Sequence, residues 1–259
     1  MSSAVHIDES PATPDVDLTG KAILVTGGSR GVGAETVRIA AERGADVAIN
    51  YRSKARRAEQ IAESVRGAGR QAAIVEADIT DGASVDAMYD TVREAFGRLD
   101  VLILNASGGL EKDVDEGYAM RLNRDAQVSL VRKALPLMAR GGTVVFVTSH
   151  LAHYHGEKPV MPEYEPVAAS KKAGEVELRA LQPDLEAAGI RFVVVSGDLI
   201  DGTITPKLLN RMRPGVIDQR REEAGWLPTT EDFAKAIVLA AGKDDLPQGT
   251  TIYVGSTEW

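Results

Sequence analysis

A glycine-rich stretch near the start of the chain has the residue types and the spacing needed to bind a phosphate group. Gly27, Gly31 and Gly33 follow the apolar run Ala22–Val25, and helical spacing begins at Val32. Residues without a Cβ atom permit a tight turn and let the backbone approach a pyrophosphate, while the N-terminus of the following helix offers free N–H groups. The pattern predicts a strand, a phosphate-binding turn and a helix, which is the start of a dinucleotide site.

The side chains near this turn favour NADP(H) over NAD(H). NAD-binding sites of this kind usually have an acidic residue about 20 positions further on, which binds the ribose hydroxyls. Here the second predicted strand ends with Asn50, Tyr51, Arg52 and Ser53, and Arg30 lies inside the turn. Guanidinium groups pair with phosphate by charge and geometry, so the two arginines suit a 2′-phosphate. The alternative is that both are ordinary solvated side chains.

Three of the four histidines lie close together in the second half of the chain. His150, His153 and His155 fall within six residues, with Tyr154 between them. Imidazole titrates near neutrality, so one of these rings could donate a proton to a forming alkoxide. No complete set of ligands with neighbouring carboxylates can be recognised, and no metal site is predicted. Loop residues that face solvent or substrate are the simpler interpretation.

The elements that must position these residues alternate between apolar runs and segments of helical spacing. Seven strands are predicted, at Ala22–Val25, Val47–Tyr51, Ala73–Val75, Val101–Leu104, Thr143–Thr148, Phe192–Val195 and Thr251–Val254. Helices are predicted between them, at Val32–Arg43, Ala55–Arg66, Ala83–Phe96, Asp115–Met138 and Ala168–Ala188, with shorter pieces over 204–242. Continuous apolar strands linked by helices are covered on both faces. The expected fold is a Rossmann-type, doubly wound α/β fold with a seven-stranded parallel sheet.

Composition fits a single domain of this class. Of the 259 residues, 44% are hydrophobic and 26% are charged, and the net charge is −8. Residues 1–17 hold four carboxylates, two prolines and no Lys or Arg. We therefore expect a flexible acidic tail over 1–17 and one dinucleotide-binding and catalytic domain over 18–259.

The same composition excludes several classes of function. The chain has no cysteine, which rules out disulfides and cysteine nucleophiles. No apolar run reaches the roughly 18–20 residues of a membrane span, and the acidic balance argues against nucleic acid as a partner. The first residues lack the basic-then-apolar layout of a signal peptide, so a cytoplasmic location is expected.

The motifs together resemble those of short-chain dehydrogenases/reductases over about residues 18–256. The similar stretches are Thr26–Gly33, Ala77–Ile79 and Leu104–Gly108, and the turn is most similar to NADPH-dependent 3-oxoacyl reductase-like members. The resemblance implies that Asp78 and Ile79 flank the adenine. Together with the glycine turn, it predicts cofactor binding by Gly27, Ser29, Arg30, Gly31, Val32, Gly33, Asn50, Tyr51, Arg52, Ser53, Asp78, Ile79, Asn105, Ala106, Ser107, Lys171, Gly197 and Thr203.

The resemblance also implies four catalytic positions, one of which departs from the family motif. Asn123 and Ser149 match the family, but the Tyr-x-x-x-Lys motif runs from Val167 to Lys171 here. In the family, hydride passes to a carbonyl carbon, the tyrosine protonates the oxygen, and the lysine lowers the tyrosine pKa and holds the nicotinamide ribose. Valine donates no proton. Tyr164, seven residues before the lysine, is the candidate substitute for the missing proton donor. The alternatives are a loop histidine (His150, His153 or His155), Tyr154 or water.

The sequence therefore predicts an NADP(H)-dependent oxidoreductase that transfers hydride between nicotinamide and a carbonyl or alcohol substrate, with an atypical proton donor. The alternative is a non-catalytic NADPH-binding protein that acts as a sensor, scaffold or partner subunit. Lys207, Arg211 and Arg213, in a predicted lid over Thr205–Gly215, could attract an acidic substrate or form a solvated helix face. The predicted helices Asp115–Met138 and Ala168–Ala188 are apolar on more than one face. Related reductases pair these helices between subunits, so a homodimer or homotetramer is expected.

Overall fold

Eight parallel strands form the sheet in the computed structural model, which describes residues 3–111 and 114–259. The strands are β1 Ala4–Ile7, β2 Ala22–Val25, β3 Asp46–Tyr51, β4 Ala72–Glu76, β5 Leu99–Leu104, β6 Met138–Ser149, β7 Arg191–Gly197 and β8 Thr251–Val254. Their order is β1-β8-β7-β6-β5-β2-β3-β4. The chain winds outward from β2 to β4 and then crosses back to β5. Ligands bind in the crevice at the carboxyl ends of the strands where the winding reverses in this way.

Helices cover both faces of the sheet. They are α1 Gly31–Glu42, α2 Ala55–Gly67, α3 Gly82–Phe96, α4 Tyr118–Met120, α5 Ala126–Ala134, α6 His150–His153, α7 Glu165–Ala180, α8 Gln182–Ala188, α9 Ile204–Met212, α10 Val216–Ala224 and α11 Thr230–Gly242. A π-helical turn, Arg121–Asp125, joins α4 to α5. Helices α1, α2 and α11 pack on one face, and α3, α5 and α8 pack on the other. Within the described ranges, no helix has both the length and the apolarity needed to cross a bilayer.

The strands are apolar throughout because both of their faces are buried. Ile23 and Val25 contribute to the core on one face, whereas Leu24 contributes to the core on the other. Successive side chains of a strand point to opposite faces, so each core receives every second residue. The predicted doubly wound parallel fold is confirmed.

The sheet has one strand more than the seven predicted, and this strand lies in the segment expected to be a flexible tail. Ala4–Ile7 pairs in parallel with Thr251–Val254. The ring of His6 stacks on that of Tyr253, with the centroids 4.9 Å apart. The prediction of a flexible tail is wrong for residues 4–7. The strand was missed because it lies at the edge of the sheet and its side chains are exposed and half-buried in alternation, so it lacks a continuous apolar run.

Two predicted helices differ from the expectation, one in its length and the other in being divided. The helix predicted over Asp115–Met138 begins at Tyr118 and ends at Ala134, and Met138 already belongs to β6. The helix predicted over Ala168–Ala188 is divided into α7 and α8, with Pro183 in the first turn of α8. Proline cannot donate a helical hydrogen bond and disfavours helical backbone at the preceding residue, so it favours a new helix start.

Candidate active site

A cavity of about 1350 Å³ opens at the carboxyl ends of the central strands. It has two parts, which we name by their lining. The cofactor half is lined by residues within 27–33, 50–57, 77–79 and 105–108. The substrate half is lined by residues within 148–164 and 198–223, by Leu110 and by Trp259. The cavity therefore lies where the sheet topology predicts a ligand site.

The glycine turn after β2 is shaped so that side chains are excluded at its closest contact. Gly27 and Gly31 have φ angles of +64° and +54°, in the left-handed region that favours glycine. A Cβ atom on Gly33 would lie 2.5 Å from the carbonyl oxygen of Gly27 and 2.6 Å from Asn105 Nδ2. Arg30, the N-cap of α1, makes no side-chain hydrogen bond to the helix. The first-turn N–H groups are open to a phosphate, and the turn fits the pyrophosphate of a dinucleotide.

Asn105 ties the end of β5 to this turn. Its backbone N–H donates to Thr26 Oγ1 and its Nδ2 donates to the Thr26 carbonyl oxygen, both at 2.9 Å. The N–H of Ala106 donates to the same hydroxyl at 3.0 Å, and that hydroxyl donates to the carbonyl oxygen of Ile103 at 3.1 Å. These bonds fix the backbone after β5 along the floor of the cofactor half.

Four cationic side chains line the outer end of the cofactor half. Arg30 and Arg52 are the two predicted arginines, and Lys54 and Arg57 lie in the same wall. Nη1 of Arg52 donates to the hydroxyl of Tyr118 at 2.6 Å. Sequence reasoning did not single out Lys54, Arg57 or Tyr118 as site residues, although the basic run after β3 was a signal for the first two.

Asn50 connects the glycine turn to the strand that carries the predicted adenine contacts. Asn50 is buried, and its Oδ1 accepts the N–H of Gly27 at 3.2 Å. Its Nδ2 donates to the carbonyl oxygen of Ala77 at 3.1 Å. Asp78 and Ile79, which follow, line the cavity. The hydrogen bonds of Asn50 thereby join the ends of β2, β3 and β4, which carry predicted cofactor contacts, into one wall of the cofactor half.

Ser149 and Tyr164 meet in the substrate half, although 15 positions separate them in the chain. Ser149 is the last residue of β6, and Tyr164 is the N-cap of α7, with Pro166 in the first turn of that helix. The hydroxyl of Tyr164 lies 3.1 Å from Ser149 Oγ. Burial raises the pKa of Tyr164, while the hydrogen bond to Ser149 opposes this shift. The phenol is therefore protonated at neutral pH and available as a donor.

Lys171 lies about two turns beyond Tyr164 on the same helix. Seven residues return to nearly the same helix face about 10 Å further along. Lys171 is 8% exposed, and burial lowers its pKa to about 8, while the charge of Glu175 opposes this shift. Val167 is 3% exposed and lines the cavity as Tyr164 and Lys171 do. The structure thus brings Ser149, Tyr164 and Lys171 to one cavity.

Asn123, the fourth predicted catalytic residue, is not among the described residues that line the cavity. It lies in the π-helical turn Arg121–Asp125. Its Nδ2 donates to the carbonyl oxygen of Gly108 at 2.9 Å and to Ser170 Oγ at 3.0 Å, and its Oδ1 accepts the N–H of Gly108 at 3.4 Å. Its own carbonyl oxygen approaches α7 so closely that Gly174 has no room for a Cβ atom. The amide therefore joins the loop at Gly108 to α7.

His150 is buried beside the site and is bonded at both ring nitrogens. Nδ1 lies 2.8 Å from Ser196 Oγ, and Nε2 lies 3.4 Å from the carbonyl oxygen of Gly255. Burial lowers the pKa of His150 to about 3. A ring that stays neutral at physiological pH is a poor proton donor, so this geometry argues against His150 as the general acid.

The other two loop histidines point away from Ser149. His153 Nδ1 lies 2.8 Å from a carboxylate oxygen of Glu175, and its Nε2 lies 2.9 Å from the hydroxyl of Tyr253. His155 Nε2 lies 2.6 Å from Glu165. Neither histidine is among the described lining residues of the cavity. Within 3–111 and 114–259, no three His, Asp or Glu side chains converge as metal ligands.

The end of β7 and the segment after it line the cavity. Gly197 lies against Phe233, and a Cβ atom on it would be 2.6 Å from the phenylalanine ring. The hydroxyl of Thr203 donates to the carbonyl oxygen of Ile200 at 2.8 Å. Gly197 and Thr203, both predicted as cofactor contacts, line the cavity.

A buried ion pair that sequence reasoning missed lies at the wall of the substrate half. Asp198, directly after β7, pairs with Arg220 of α10, with Nη2 and Oδ2 2.6 Å apart and each residue 8% exposed. Burial raises the pKa of Asp198, and the guanidinium opposes this shift. No sequence signal could have revealed the pair, because 22 positions separate its members.

Most of the substrate half is apolar, with cations at its mouth. The apolar side chains are Leu110, Leu151, Val160, Met161, Leu199, Ile204, Leu208, Val216 and Trp259. Lys207, Arg211 and Arg213, from α9 and the residue after it, also line the cavity. The site therefore suits an apolar molecule whose polar atoms reach Ser149 and Tyr164.

Comparison with known proteins points to relatives that bind NADP or are named reductases. The chain is 34% identical over 178 residues to hydroxynaphthalene reductase arp2 of Aspergillus fumigatus, covering 66% of this chain and 63% of that protein. The match thus spans slightly less than two thirds of that relative. It is 32% identical over 231 residues to 1-cyclohexenylcarbonyl-CoA reductase of Streptomyces collinus, covering 85% of this chain and 79% of that protein.

The fold has close counterparts among solved structures. A short chain dehydrogenase from Burkholderia cenocepacia in complex with NADP superimposes with a TM-score of 0.78 at 30% identity, covering 92% of this chain and 97% of that chain. The family model for short chain dehydrogenase matches residues 21–213. That match includes the glycine turn, Ser149, Tyr164 and Lys171, and the chain belongs to the short-chain dehydrogenase family.

Proposed function

We propose that this protein is an NADP(H)-dependent oxidoreductase that reduces a carbonyl group, with Tyr164 as the proton donor. The observation that carries the proposal is the 3.1 Å distance between the hydroxyls of Tyr164 and Ser149, in one cavity with Lys171. Two hydroxyl groups at this separation can both donate to a single carbonyl oxygen. The NADP bound by the Burkholderia dehydrogenase and the names of the two reductases support the same class of reaction.

The cofactor half supplies groups suited to NADP(H). The N–H groups of the turn at Gly31 and Gly33 would hold the pyrophosphate, since they face the cavity at a helix N-terminus. Arg30 and Arg52 would hold the 2′-phosphate, and Lys171 would hold the nicotinamide ribose. When bound, the reduced cofactor supplies the hydride.

The residues of the substrate half would then control the carbonyl oxygen. Ser149 and Tyr164 donate hydrogen bonds to it, which polarises the bond and places the carbon for attack. As negative charge develops on the oxygen, Tyr164 transfers its phenolic proton there. The hydrogen bond from Ser149, which opposes the rise of the Tyr164 pKa caused by burial, favours the phenolate that remains. Asn123 has no step here, because its amide is bonded to Gly108 and Ser170.

Removing the phenolic hydroxyl tests this mechanism directly. Tyr164→Phe should lower kcat for NADPH oxidation with activated ketones by about 10²–10⁴, the usual effect of losing a general acid. NADPH affinity, measured by fluorescence titration, should stay the same because the hydroxyl is outside the cofactor half. Tyr154→Phe removes a nearby phenol that does not line the cavity and should keep full activity.

The non-catalytic alternative gives a different result in the same assays. Wild-type protein that binds NADPH but oxidises it with no ketone and no conjugated thioester would contradict the proposal. Unchanged turnover in Tyr164→Phe would instead retain the reductase and exclude Tyr164 as its acid.

A second candidate, reduction of a carbon–carbon double bond conjugated to a thioester carbonyl, is favoured by one relative. The name of the Streptomyces reductase specifies 1-cyclohexenylcarbonyl-CoA, and that match covers 85% of this chain. Ser149 and Tyr164 would bind the thioester oxygen, hydride from bound NADPH would add to the β carbon, and a proton from water would add to the α carbon. Mass analysis of the product from 1-cyclohexenylcarbonyl-CoA separates the candidates, because a saturated thioester supports this one and unreacted thioester with ketone turnover supports the first.

A further inference from the structure

Residues 256–259 fold back from the end of β8 onto the substrate half. Trp259 lines the cavity, and its indole Nε1 donates to the carbonyl oxygen of Pro159 at 3.1 Å. The indole lies parallel to the ring of His150, with the planes 2° apart and the centroids separated by 6.3 Å. The indole therefore forms part of the wall of the cavity that Ser149 also lines.

Arg220 holds this segment against α10. Its Nη2 donates to the carbonyl oxygen of Ser256 at 2.9 Å, and its Nη1 donates to that of Glu258 at 2.7 Å. The same guanidinium pairs with Asp198 and lies 5.8 Å from the centroid of the Trp259 ring. An arginine bonded on several sides is fixed in position, so α10, the end of β7 and residues 256–259 form one wall.

Lys158 holds the segment from the opposite side. Its ammonium donates to the carbonyl oxygen of Thr257 and lies 4.5 Å from the centroid of the Trp259 ring, within the range of a cation–π contact. The edge of the indole packs against Tyr154, with the centroids 5.7 Å apart. The indole is therefore oriented by contacts on its edge, its face and its N–H group.

We propose that Trp259 is a specificity-determining residue that limits the size of the group attached to the reacting carbonyl, and that Arg220 and Lys158 are positioning residues for it. The proposal rests on the proposed reductase function, which places that carbonyl at Ser149 and Tyr164. A flat indole in the wall of this cavity favours a single apolar ring or an unbranched chain stacked on it over a fused or branched body. The expected substrates are apolar carbonyl compounds with one ring or an unbranched chain.

Shortening the indole should reverse this preference. In Trp259→Ala, the ratio of kcat/KM for 1-decalone to that for cyclohexanone should rise about tenfold, the scale on which an apolar pocket discriminates by size. Trp226→Ala is the matched control, since it truncates the other tryptophan of the chain, which is not among the described lining residues, and the ratio should not change. Arg220→Lys should shift the ratio in the same direction as Trp259→Ala, by less.

A binding measurement keeps the test independent of turnover. Neither cyclohexanol nor decahydro-1-naphthol can react with NADPH, so both can be titrated calorimetrically into the NADPH-loaded protein. Trp259→Ala should weaken binding of cyclohexanol and strengthen binding of decahydro-1-naphthol. These titrations give a result even where no ketone is reduced. Failure of the reductase proposal is therefore distinguishable from failure of the proposal that Trp259 limits the size of the bound molecule.

Two results would overturn the inference. One is a Trp259→Ala protein with an unchanged ketone ratio and unchanged alcohol affinities. The other is an equal shift in Trp226→Ala, which would reflect general loosening of the structure. Thermal unfolding of every variant identifies loss of fold, and Trp259→Leu, which keeps more apolar bulk, replaces Trp259→Ala where the latter does not fold.

Discussion

The cofactor half and the substrate half of the cavity differ in what makes their closest contacts. In the cofactor half, the closest contacts are made by the backbone of one short stretch, as where Gly33 packs on the carbonyl of Gly27. In the substrate half, side chains from distant parts of the chain meet: 22 positions separate Asp198 from Arg220, and 100 separate Pro159 from Trp259.

This difference determines which residue types each position of the two halves can accept. A backbone that must pass within contact distance of another backbone accepts only glycine. A proton donor needs only its hydroxyl at the right place, and several backbone positions can deliver it there. The proposed mechanism uses this freedom, because Tyr164 lies 3.1 Å from Ser149 Oγ although the family motif has its tyrosine at position 167.

The largest effect is expected from moving the phenol within the substrate half. Tyr164→Val should lower ketone reduction by about 10²–10⁴. Adding Val167→Tyr in the same protein should recover part of that activity, since position 167 lines the same cavity one turn before Lys171. Steady-state NADPH oxidation measures both variants. A double variant as inactive as Tyr164→Val would show that the phenol cannot act from position 167. The substrate half would then tolerate no more change of position than the glycine turn does.

A smaller effect is expected from reversing one charge in the cofactor half. Arg52→Asp should lower NADPH affinity by about 10–100-fold, the range expected for losing a hydrogen bond to a charged group and placing a carboxylate there. NADH affinity should hold or rise, because a carboxylate at the end of β3 suits ribose hydroxyls. Fluorescence titration with both cofactors measures the change. Wild-type protein with equal affinity for NADPH and NADH would contradict the NADP assignment.

The smallest effect concerns stability and depends on pH. Burial lowers the pKa of Lys171 from 10.5 to about 8, so the unfolded chain holds this proton more tightly than the folded protein. The buried charge destabilises the fold at neutral pH, and this penalty falls as pH rises from about 8 towards 10.5. Lys171→Met should therefore raise the free energy of unfolding at pH 7, and its advantage over wild type should shrink at pH 9–10.

Urea unfolding at several pH values measures this difference. Lys243→Met removes an ammonium on a side chain that is 47% exposed and serves as the control, with no such trend expected. A gain in the free energy of unfolding of Lys171→Met that does not vary between pH 7 and pH 10 would contradict the assignment of that gain to the buried charge of Lys171.

Seven of the eight strands and the glycine turn of the cofactor half are predictable from the sequence alone. Seven strands were predicted because burial on both faces requires continuous apolar runs, and these are visible without any tertiary contact. The glycine turn was recognisable for a similar reason, since Gly27, Gly31 and Gly33 meet a local steric requirement within seven residues. The edge strand Ala4–Ile7 could not be recognised in this way, because every second side chain of the strand is exposed to solvent.

The arrangement of side chains in the substrate half depends instead on tertiary packing. Whether Tyr164 or a loop histidine stands beside Ser149 depends on how the loop after β6 folds, and no local pattern encodes that. The bonding of Asn123 to Gly108 and Ser170 depends on how closely α7 approaches the π-helical turn. The contacts of Trp259 form only after β8 has joined the sheet. A side chain's partner across a cavity is set by packing of whole elements, whereas a glycine's conformation is set by its immediate neighbours, and this is why the two halves differ in what the sequence reveals.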